Sequence, residues 1–320
     1  MFAGIDIGGT KCAVVFGEIK DNDVKIADKV KIETPKGEDP YSVLGKLAEI
    51  IKNKNRKIDA IGISCGGPLD SNKGVILSPP NLQGWDEVYA VKFFEDMFGV
   101  PTFIQNDANA CALAEWQFGA ARGTKNAVFM TFGTGLGAGL ILDGKLYSGT
   151  NDNAGEVGHI RLSDYGPVGY GKKGSFEGFC SGNGIAQIGQ TLARERWQCG
   201  EKAGYCDDIK NIEKITTKDI AEAARNGDET ALKVFELCGR KLGMGISVII
   251  DMLNPEVIVI GSVFQRCEDL LRPYMEEVVE TEALIHARKV CRVVPAYLTE
   301  AIGDYAAIAV AKTGLEKENG

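Results

Sequence analysis

A few segments of the chain place glycines, hydroxyls and carboxylates side by side. Asp6-Ile7-Gly8-Gly9-Thr10-Lys11 lies between two apolar runs. Glycines between two strands let successive main-chain N–H groups point at an anion with no Cβ in the way. Thr10 and Lys11 add a hydroxyl and a positive charge. Asp6, closing the first apolar run, is placed to hold hydrated Mg²⁺, which takes one or two carboxylates together with phosphate oxygens. The same residues also read as an ordinary hairpin turn with a surface lysine.

A second such segment is Thr131-Phe132-Gly133-Thr134-Gly135-Leu136-Gly137-Ala138-Gly139. It matches G-x-G-x-x-A, but the dinucleotide fingerprint needs a helix directly after the loop and an acidic residue about 20 positions on. An apolar run and then Asp143-Gly144, a tight hairpin turn, follow instead. The segment therefore reads as a second phosphate-gripping hairpin. Gly166 to Lys173 imitates a Walker A loop, yet Lys173 stands where Ser or Thr must reach Mg²⁺, and that reading is rejected.

Asn106-Asp107 closes a short apolar run and opens a helical one. Both residues cap helices well. Asp107 also lies at a strand's carboxyl end, where open α/β sheets bind ligands, and an aspartate so placed can accept the proton of an attacking hydroxyl in phosphoryl transfer. Glu156 and His159 sit in Gly155-Glu-Val-Gly-His, and Glu177 in a later glycine-rich stretch. Flanking glycines disfavour a helical Glu-x-x-His iron motif, which also needs a second copy and two further glutamates. Carboxylates and an imidazole in such loops suit hydrogen bonding to vicinal hydroxyls, or simply a polar surface loop.

The elements that must position these residues follow from periodicity. Strands are expected at 2–7, 11–19, 58–64, 102–105, 127–132, 138–142 and 256–260. Helices are expected from Pro40 behind an Asp39 cap, over 86–98, from about Asp107, over 229–253, and from Asp304 to Lys312. The stretch 196–215 has no clear period and reads as irregular surface. Two halves, each opened by a strand–glycine–strand hairpin, suggest an internal duplication. The boundary is set near Gly119, giving a small N-terminal domain over 1–118 and a larger one over 119–303. A C-terminal helix, 304–320, packs back on the first.

Composition bounds the rest. The chain has 320 residues, 40 of them glycine, against roughly 7% in an ordinary protein. Glycine is either spread over turns or gathered where backbone approaches a ligand. Lys and Arg number 36 against 44 Asp and Glu, a net charge of −8, which disfavours nucleic acid as a partner because its binding rests on phosphate neutralisation. Nine cysteines without a C-x-x-C pair fit reduced thiols in a cytosol. No basic-then-apolar leader opens the chain, and no apolar stretch approaches the ~20 residues that cross a bilayer. A cytoplasmic protein without membrane attachment is expected.

DIGGTK, NDANACALAEW, TFGTGLGAG, AGEVGH, NPEVIVIGS and AIGDYAAIA stand in the order and spacing seen in ROK-family sugar kinases, and the sequence resembles that family over nearly its whole length. The resemblance implies a two-domain actin/hexokinase-like α/β fold with an internally duplicated core and a cleft between domains. It implies ATP, Mg²⁺ and transfer of a phosphoryl group to a hexose hydroxyl. It makes Asp107 the catalytic base, and Asn106, Glu156, His159 and Glu177 sugar ligands, with Gly67 and Asn81. Asp6, Gly8, Gly9, Thr10 and Lys11, together with Thr131, Gly133, Thr134 and Gly135, would face the phosphates, and Gly261 the adenosine. Glucose is the first expectation because Glu156, His159 and Glu177 occur together. N-acetylmannosamine, N-acetylglucosamine, fructose or a β-glucoside would use much the same motif, and a silent sugar binder is the non-enzymatic alternative. Family relatives that act as sugar-sensing repressors carry a DNA-binding domain ahead of this body; a chain opening directly on the first hairpin is not expected to be one. A homodimer is expected.

One departure stands out. Most of the family carries C-x-C-G-x-x-G-C-x-E, whose cysteines bind structural zinc with the histidine of the G-H motif. Here the stretch runs Val168-Gly-Tyr170-Gly-Lys-Lys-Gly-Ser175-Phe-Glu177. One histidine cannot make a closed tetrahedral site, so no zinc is expected, and the loop must be held by packing, with Tyr170 and Phe176 as candidates.

Overall fold

The computed structural model describes residues 1–21 and 23–319; Asn22 and Gly320, the last residue of the expected 304–320 helix, lie outside the described residues. In chain order, strands β1 (Phe2–Ile7), β2 (Lys11–Lys20) and β3 (Asp23–Glu33) precede helix α1 (Pro40–Asn53). Strand β4 (Ala60–Cys65), the short pair β5 (Leu69–Asp70) and β6 (Val75–Ile76), helix α2 (Ala90–Phe98), strand β7 (Thr102–Asn106) and helix α3 (Asp107–Phe118) follow. Then come β8 (Ala127–Phe132), β9 (Leu136–Leu142), β10 (Lys145–Tyr147), β11 (Val168–Gly169) and β12 (Lys172–Lys173). Helices α4 (Phe176–Phe179), α5 (Gly182–Gln198), α6 (Thr217–Arg225) and α7 (Glu229–Leu253) lead to β13 (Val257–Ile260). Helices α8 (Val263–Glu282) and α9 (Ile285–Arg288), strand β14 (Arg292–Pro295) and helix α10 (Ile302–Asn319) complete the series.

The chain divides into two units. The first comprises 1–129, 139–154 and 297–320; the second comprises 130–138 and 155–296. Two five-stranded sheets run in the orders β3-β2-β1-β4-β7 and β10-β9-β8-β13-β14. In the first, β1 lies antiparallel to β2 and parallel to β4, and β4 lies parallel to β7. The second repeats the plan, with β10 antiparallel to β9 and β14 parallel to β13. This is the duplicated core that the two glycine hairpins announced.

In the first unit, close packing of α10 on the sheet explains two glycines and a run of small residues. A Cβ on Gly62 would lie 2.0 Å from Ala307 O and 2.5 Å from Ala311 N, and one on Gly4 would lie 2.8 Å from Ala307 Cβ. Ala306, Ala307, Ile308, Ala309 and Ala311 are fully buried against that surface. The opposite face buries Val43, Leu44, Leu47 and Ile51 of α1, which starts where Asp39 accepts a hydrogen bond from Ser42 N. In the second unit, glycines again permit close contact. A Cβ on Gly239 would meet Leu271 O at 2.8 Å and one on Gly243 would meet Met275 O at 2.6 Å, so α7 and α8 nearly touch.

Three expectations are corrected. Helix α2 starts at Ala90 rather than Asp86, because Val88 bridges to Ile76 and Glu87 has a positive φ of 55°. The 11-residue strand β3 went unforeseen; its buried and exposed positions alternate weakly. The 196–215 stretch is not plain surface, since it continues α5 to Gln198 and buries Ala203, Cys206, Ile212 and Ile215. Among the described residues, no helix is long and apolar enough to cross a membrane.

Candidate active site

In the first unit, the parallel strands β1 and β7, with β4 between them, end at the same edge of the sheet near a small group of carboxylates. Asp6, the penultimate residue of β1, is largely buried, and its carboxyl is pushed up to about 6 by desolvation first and then by the charges of Asp107 and Asp304, against Lys29 and Lys31. Lys29 is already committed to Asp304 through an ion pair. Gly303, in the first turn of α10, brings that helix's positive end toward Asp6; a Cβ there would lie 3.6 Å from Asp6 Oδ2. A largely buried carboxylate among like charges could hold one Mg²⁺, which needs few protein ligands when phosphates supply the rest. Among the described residues, no group of three or more His, Cys, Asp or Glu forms a metal cage by itself.

Asn106 ends β7 nearly buried, with 9% of its surface exposed, and its Oδ1 accepts from Asn109 N at 2.7 Å. It is thus the N-cap of α3, while Asp107 takes the first helical position. Asp107 keeps an open surface, and its Oδ1 accepts from Ala108 N at 2.8 Å. Desolvation by the protein around it nevertheless raises its carboxyl above the usual range, an effect that hydrogen bonding from Ala108 partly offsets. A raised but solvent-reachable carboxylate at a helix start has the character of a general base. Asn81 lies beside the first hairpin: a Cβ on Gly9 would come within 2.6 Å of Asn81 O. Gly67 stands in open space. Thr10 and Lys11 are exposed, and Lys11 faces Glu33 at 3.6 Å.

In the second unit, the other glycine hairpin lies beside Gly182 and Ser262. Gly133 N donates to Gly135 O at 3.0 Å, Gly182 N donates to Gly133 O at 2.8 Å, and Thr131 Oγ1 accepts from Gly137 N at 3.2 Å. Thr134 projects from the turn, exposed. Gly261 N donates to Met130 O at 3.0 Å, and Ser262 follows with a positive φ of 57° and its N–H bonded to Gln265 Oε1. The space at Gly133 is open, with Ser262 Oγ 3.9 Å from where a Cβ would sit. Next to Gly182 and Ser262, α6 and the start of α8 enclose a cavity of about 600 Å³ lined by Thr217, Ala221, Arg225, Val263 and Cys267. An open glycine turn leading to a partly apolar cavity suits phosphates followed by a flat base. The sequence reading missed this cavity; α6 carries a capping box at Thr216 and Asp219, which marks a helix start but no ligand.

Glu177 is fastened within the same unit. Its Oε2 accepts from Leu136 N at 2.9 Å. A Cβ on Gly135 would lie 2.7 Å from Glu177 Oε2, one on Gly158 would lie 2.2 Å from Leu136 O, and one on Gly169 would lie 2.8 Å from Glu177 Cβ. Glu156 precedes a short 3-10 turn, Val157–His159, and both Glu156 and His159 are exposed. Glu177, the Glu156–His159 turn and the 133–139 hairpin are therefore brought together. The glycines serve this differently from expectation. Gly8, Gly9, Gly135, Gly155 and Gly158 make room for the protein's own atoms, whereas Gly67 and Gly133 face open space.

The loop that carries Glu177 is held by hydrogen bonds and one aromatic ring. Gln187 of α5 donates from Nε2 to Val168 O at 2.9 Å and accepts at Oε1 from Val168 N at 3.0 Å, a two-point clasp on the hairpin β11–β12. Ser175, fully buried, donates to Lys172 O at 3.0 Å and accepts from Gly178 N at 3.1 Å, capping α4. Arg161 donates to Lys173 O at 2.9 Å, and Lys172 donates to His159 O. Phe176 is fully buried against Gly245, as the packing expectation required. Tyr170 is not; it is 69% exposed and meets the His159 ring edge-on, at 5.4 Å. The clasp by Gln187 left no trace in the sequence pattern.

A family model described as "ROK family" matches residues 2–313. The chain is 32% identical to the glucokinase of Halalkalibacterium halodurans over 292 residues, 88% of this chain and 86% of that one. It is 30% identical to the xylose repressor of Caldicellulosiruptor bescii over 257 residues, 78% of this chain but 63% of that one. A crystal structure of a ROK family glucokinase from Streptomyces griseus, in complex with glucose and AMPPNP, superposes with a TM-score of 0.75 at 27% identity, covering 98% of this chain and 99% of that one.

Proposed function

The chain belongs to the ROK family, with its actin/hexokinase-like α/β fold, and from that premise we propose that it is an ATP-dependent hexose kinase acting first on glucose. The observation that carries the reading is Asp107: a carboxylate with a raised affinity for protons, at the junction of β7 and α3. The name and bound ligands of the Streptomyces griseus structure support the choice of glucose and of an ATP-type nucleotide.

In this reading Asp107 accepts the proton of the sugar hydroxyl as its oxygen turns nucleophilic. Asn106, Glu156, His159 and Glu177 hydrogen-bond the remaining hydroxyls, with Gly67 and Asn81 closing around the ring. Glu177 keeps one oxygen on Leu136 N and offers the other. The open turn at Gly133, with Thr131, Thr134 and Gly135, receives phosphate oxygens. Gly261 and the cavity of Thr217, Val263 and Cys267 receive the nucleoside. Gly8, Gly9, Thr10 and Lys11 would also face phosphate oxygens, and Asp6 would hold Mg²⁺. Bound Mg-ATP supplies the phosphoryl group and the neutralising charge. Positioning of this kind contributes ~7–11 kcal/mol to a barrier.

The test is ADP release in the presence of Mg²⁺, ATP and a panel of glucose, fructose, N-acetylmannosamine, N-acetylglucosamine and a β-glucoside. Glucose is expected to give the highest kcat/KM. The names of repressor relatives support one other reading, a sugar sensor without turnover. Sugar binding with no sugar-dependent ADP across the panel would establish that reading and remove the kinase. A cytoplasmic homodimer completes the proposal, to be checked by fractionation and sedimentation equilibrium.

A further inference from the structure

We propose that the first unit holds a second small-molecule site, for a neutral polyhydroxylated ligand of about monosaccharide size, in a cavity beside β7. The cavity has a volume of about 400 Å³, within the roughly 300–1,000 Å³ range of small-molecule sites. It lies between β7, the segment after β10 and the last turns of α10, and all its lining residues belong to the first unit.

The chemistry of the walls selects the ligand. Phe103 and Leu146 give an apolar face. Phe103 is seated there because Gly314 leaves room; a Cβ on Gly314 would lie 2.1 Å from its ring. The polar groups are committed on one side and left able to donate on the other. Gln105 accepts at Oε1 from Asn109 Nδ2 at 3.2 Å, which leaves its NH₂ to donate. Ser148 accepts from the same amide at 3.4 Å and Thr313 accepts from Gln117 Nε2 at 2.7 Å, which leaves both hydroxyl protons. Lys317 and Glu318 at the rim bring opposite charges. Asp152, 9% exposed, is fixed by Ser71 N at 2.7 Å and Ser71 Oγ at 2.8 Å.

An anion would meet Asp152 and Glu318 with Lys317 alone to offset them. A wholly apolar ligand would strand the amide and the two hydroxyls, which costs about 1–3 kcal/mol for each group left unpaired. A neutral polyol satisfies both constraints, with its C–H face on Phe103 and its hydroxyls on Gln105, Ser148 and Thr313. An independent sign that this wall is incomplete is Asn109. It is fully buried, its NH₂ is shared between two wall residues, and its Oδ1 has no partner.

The site is distinct from the proposed sugar-kinase residues and does not rest on that reading. Equilibrium dialysis of the full chain with labelled glucose, and separately with labelled myo-inositol, tests it. At least one of the two is expected to show binding that Ser148→Trp weakens tenfold or more and that Glu156→Gln leaves in place. Ser148→Trp is expected to keep sugar-dependent ADP formation. If that variant lacks a cooperative thermal transition, the rim pair Lys317→Met with Glu318→Gln replaces it in the same comparison. Binding lost entirely in Glu156→Gln, or unchanged in both cavity variants, overturns the second site. So does the absence of any bound polyol.

Discussion

Leu136 donates its main-chain N–H to Glu177 Oε2 at 2.9 Å, so a carboxylate assigned to sugar is tied to the hairpin assigned to phosphate. The two halves of the substrate pair are then not independent. Glu177→Ala is expected to raise the KM for glucose at least tenfold, as for loss of a hydrogen bond to a charged group, and to raise the KM for ATP several-fold. Steady-state kinetics with each substrate varied in turn will show it; an unchanged ATP KM would uncouple the hairpin from Glu177.

Asp107→Asn removes the base and keeps the shape. The expected loss is in kcat, by about 10²–10⁴-fold, with glucose affinity by calorimetry within a few-fold of the parent. A variant that turns over at near the parental rate would take Asp107 out of the chemistry.

Two carboxyl shifts give opposite signatures in pH. Asp107 must be ionised to act, and desolvation raises its proton affinity, so kcat is expected to fall on acidification at a higher pH than an ordinary aspartate, near 3.9, would dictate. Asp6 bears on stability. Its carboxyl stands at about 6 in the folded chain against 3.8 for an unperturbed aspartate, so the folded state binds the proton more tightly. Stability therefore falls as pH rises from about 4 to 6, and the penalty is complete above that window. Asp6→Asn is expected to melt at a higher temperature than the parent at pH 7.5, and to lose that advantage near pH 4. Melting curves at the two pH values decide it.

Val263→Trp places an indole in the cavity between α6 and α8. It is expected to raise the ATP KM tenfold or more while glucose affinity stays put. Equal loss of both affinities would move the nucleoside elsewhere.

Gln187→Ala opens the clasp on Val168. Two hydrogen bonds of about 1 kcal/mol each are at stake, so a fall in Tm of several degrees is expected, with a several-fold rise in the glucose KM and kcat within about threefold. Elemental analysis of the purified parent is expected to show no stoichiometric zinc, and incubation with a chelator is expected to leave the glucose KM unchanged. One zinc per chain would mean that the loop is held otherwise.

What could be read from residue order alone divides along physical lines. Asp39 caps α1 through Ser42 N and Asn106 caps α3 through Asn109 N, neighbours three residues away, and local patterns reveal such contacts. Strand β8 and helix α7 fall on their expected residues, 127–132 and 229–253. The bond from Leu136 to Glu177 and the clasp from Gln187 to Val168 join residues distant in sequence through main-chain atoms, which side-chain patterning does not encode. Helix α8 went unforeseen because Pro273 and a kink at Cys267 interrupt its period. The purpose of most glycines was equally hidden. Gly62 and Gly155 look like ligand or turn glycines until the backbone pressed against each is seen.

The close seat of α10 on Gly4 and Gly62 has a consequence for biosynthesis. The first unit opens the chain, yet its sheet stays uncovered on one face until residues beyond 297 emerge, after the whole second unit has been made. Domains that fold during synthesis ordinarily do so from the N-terminus onward. Here the long run 155–296 of the second unit is made before α10 can seat on Gly4 and Gly62. A nascent chain stalled before Ile302 would expose that apolar face, and this is the stage at which a holding chaperone would find its binding surface.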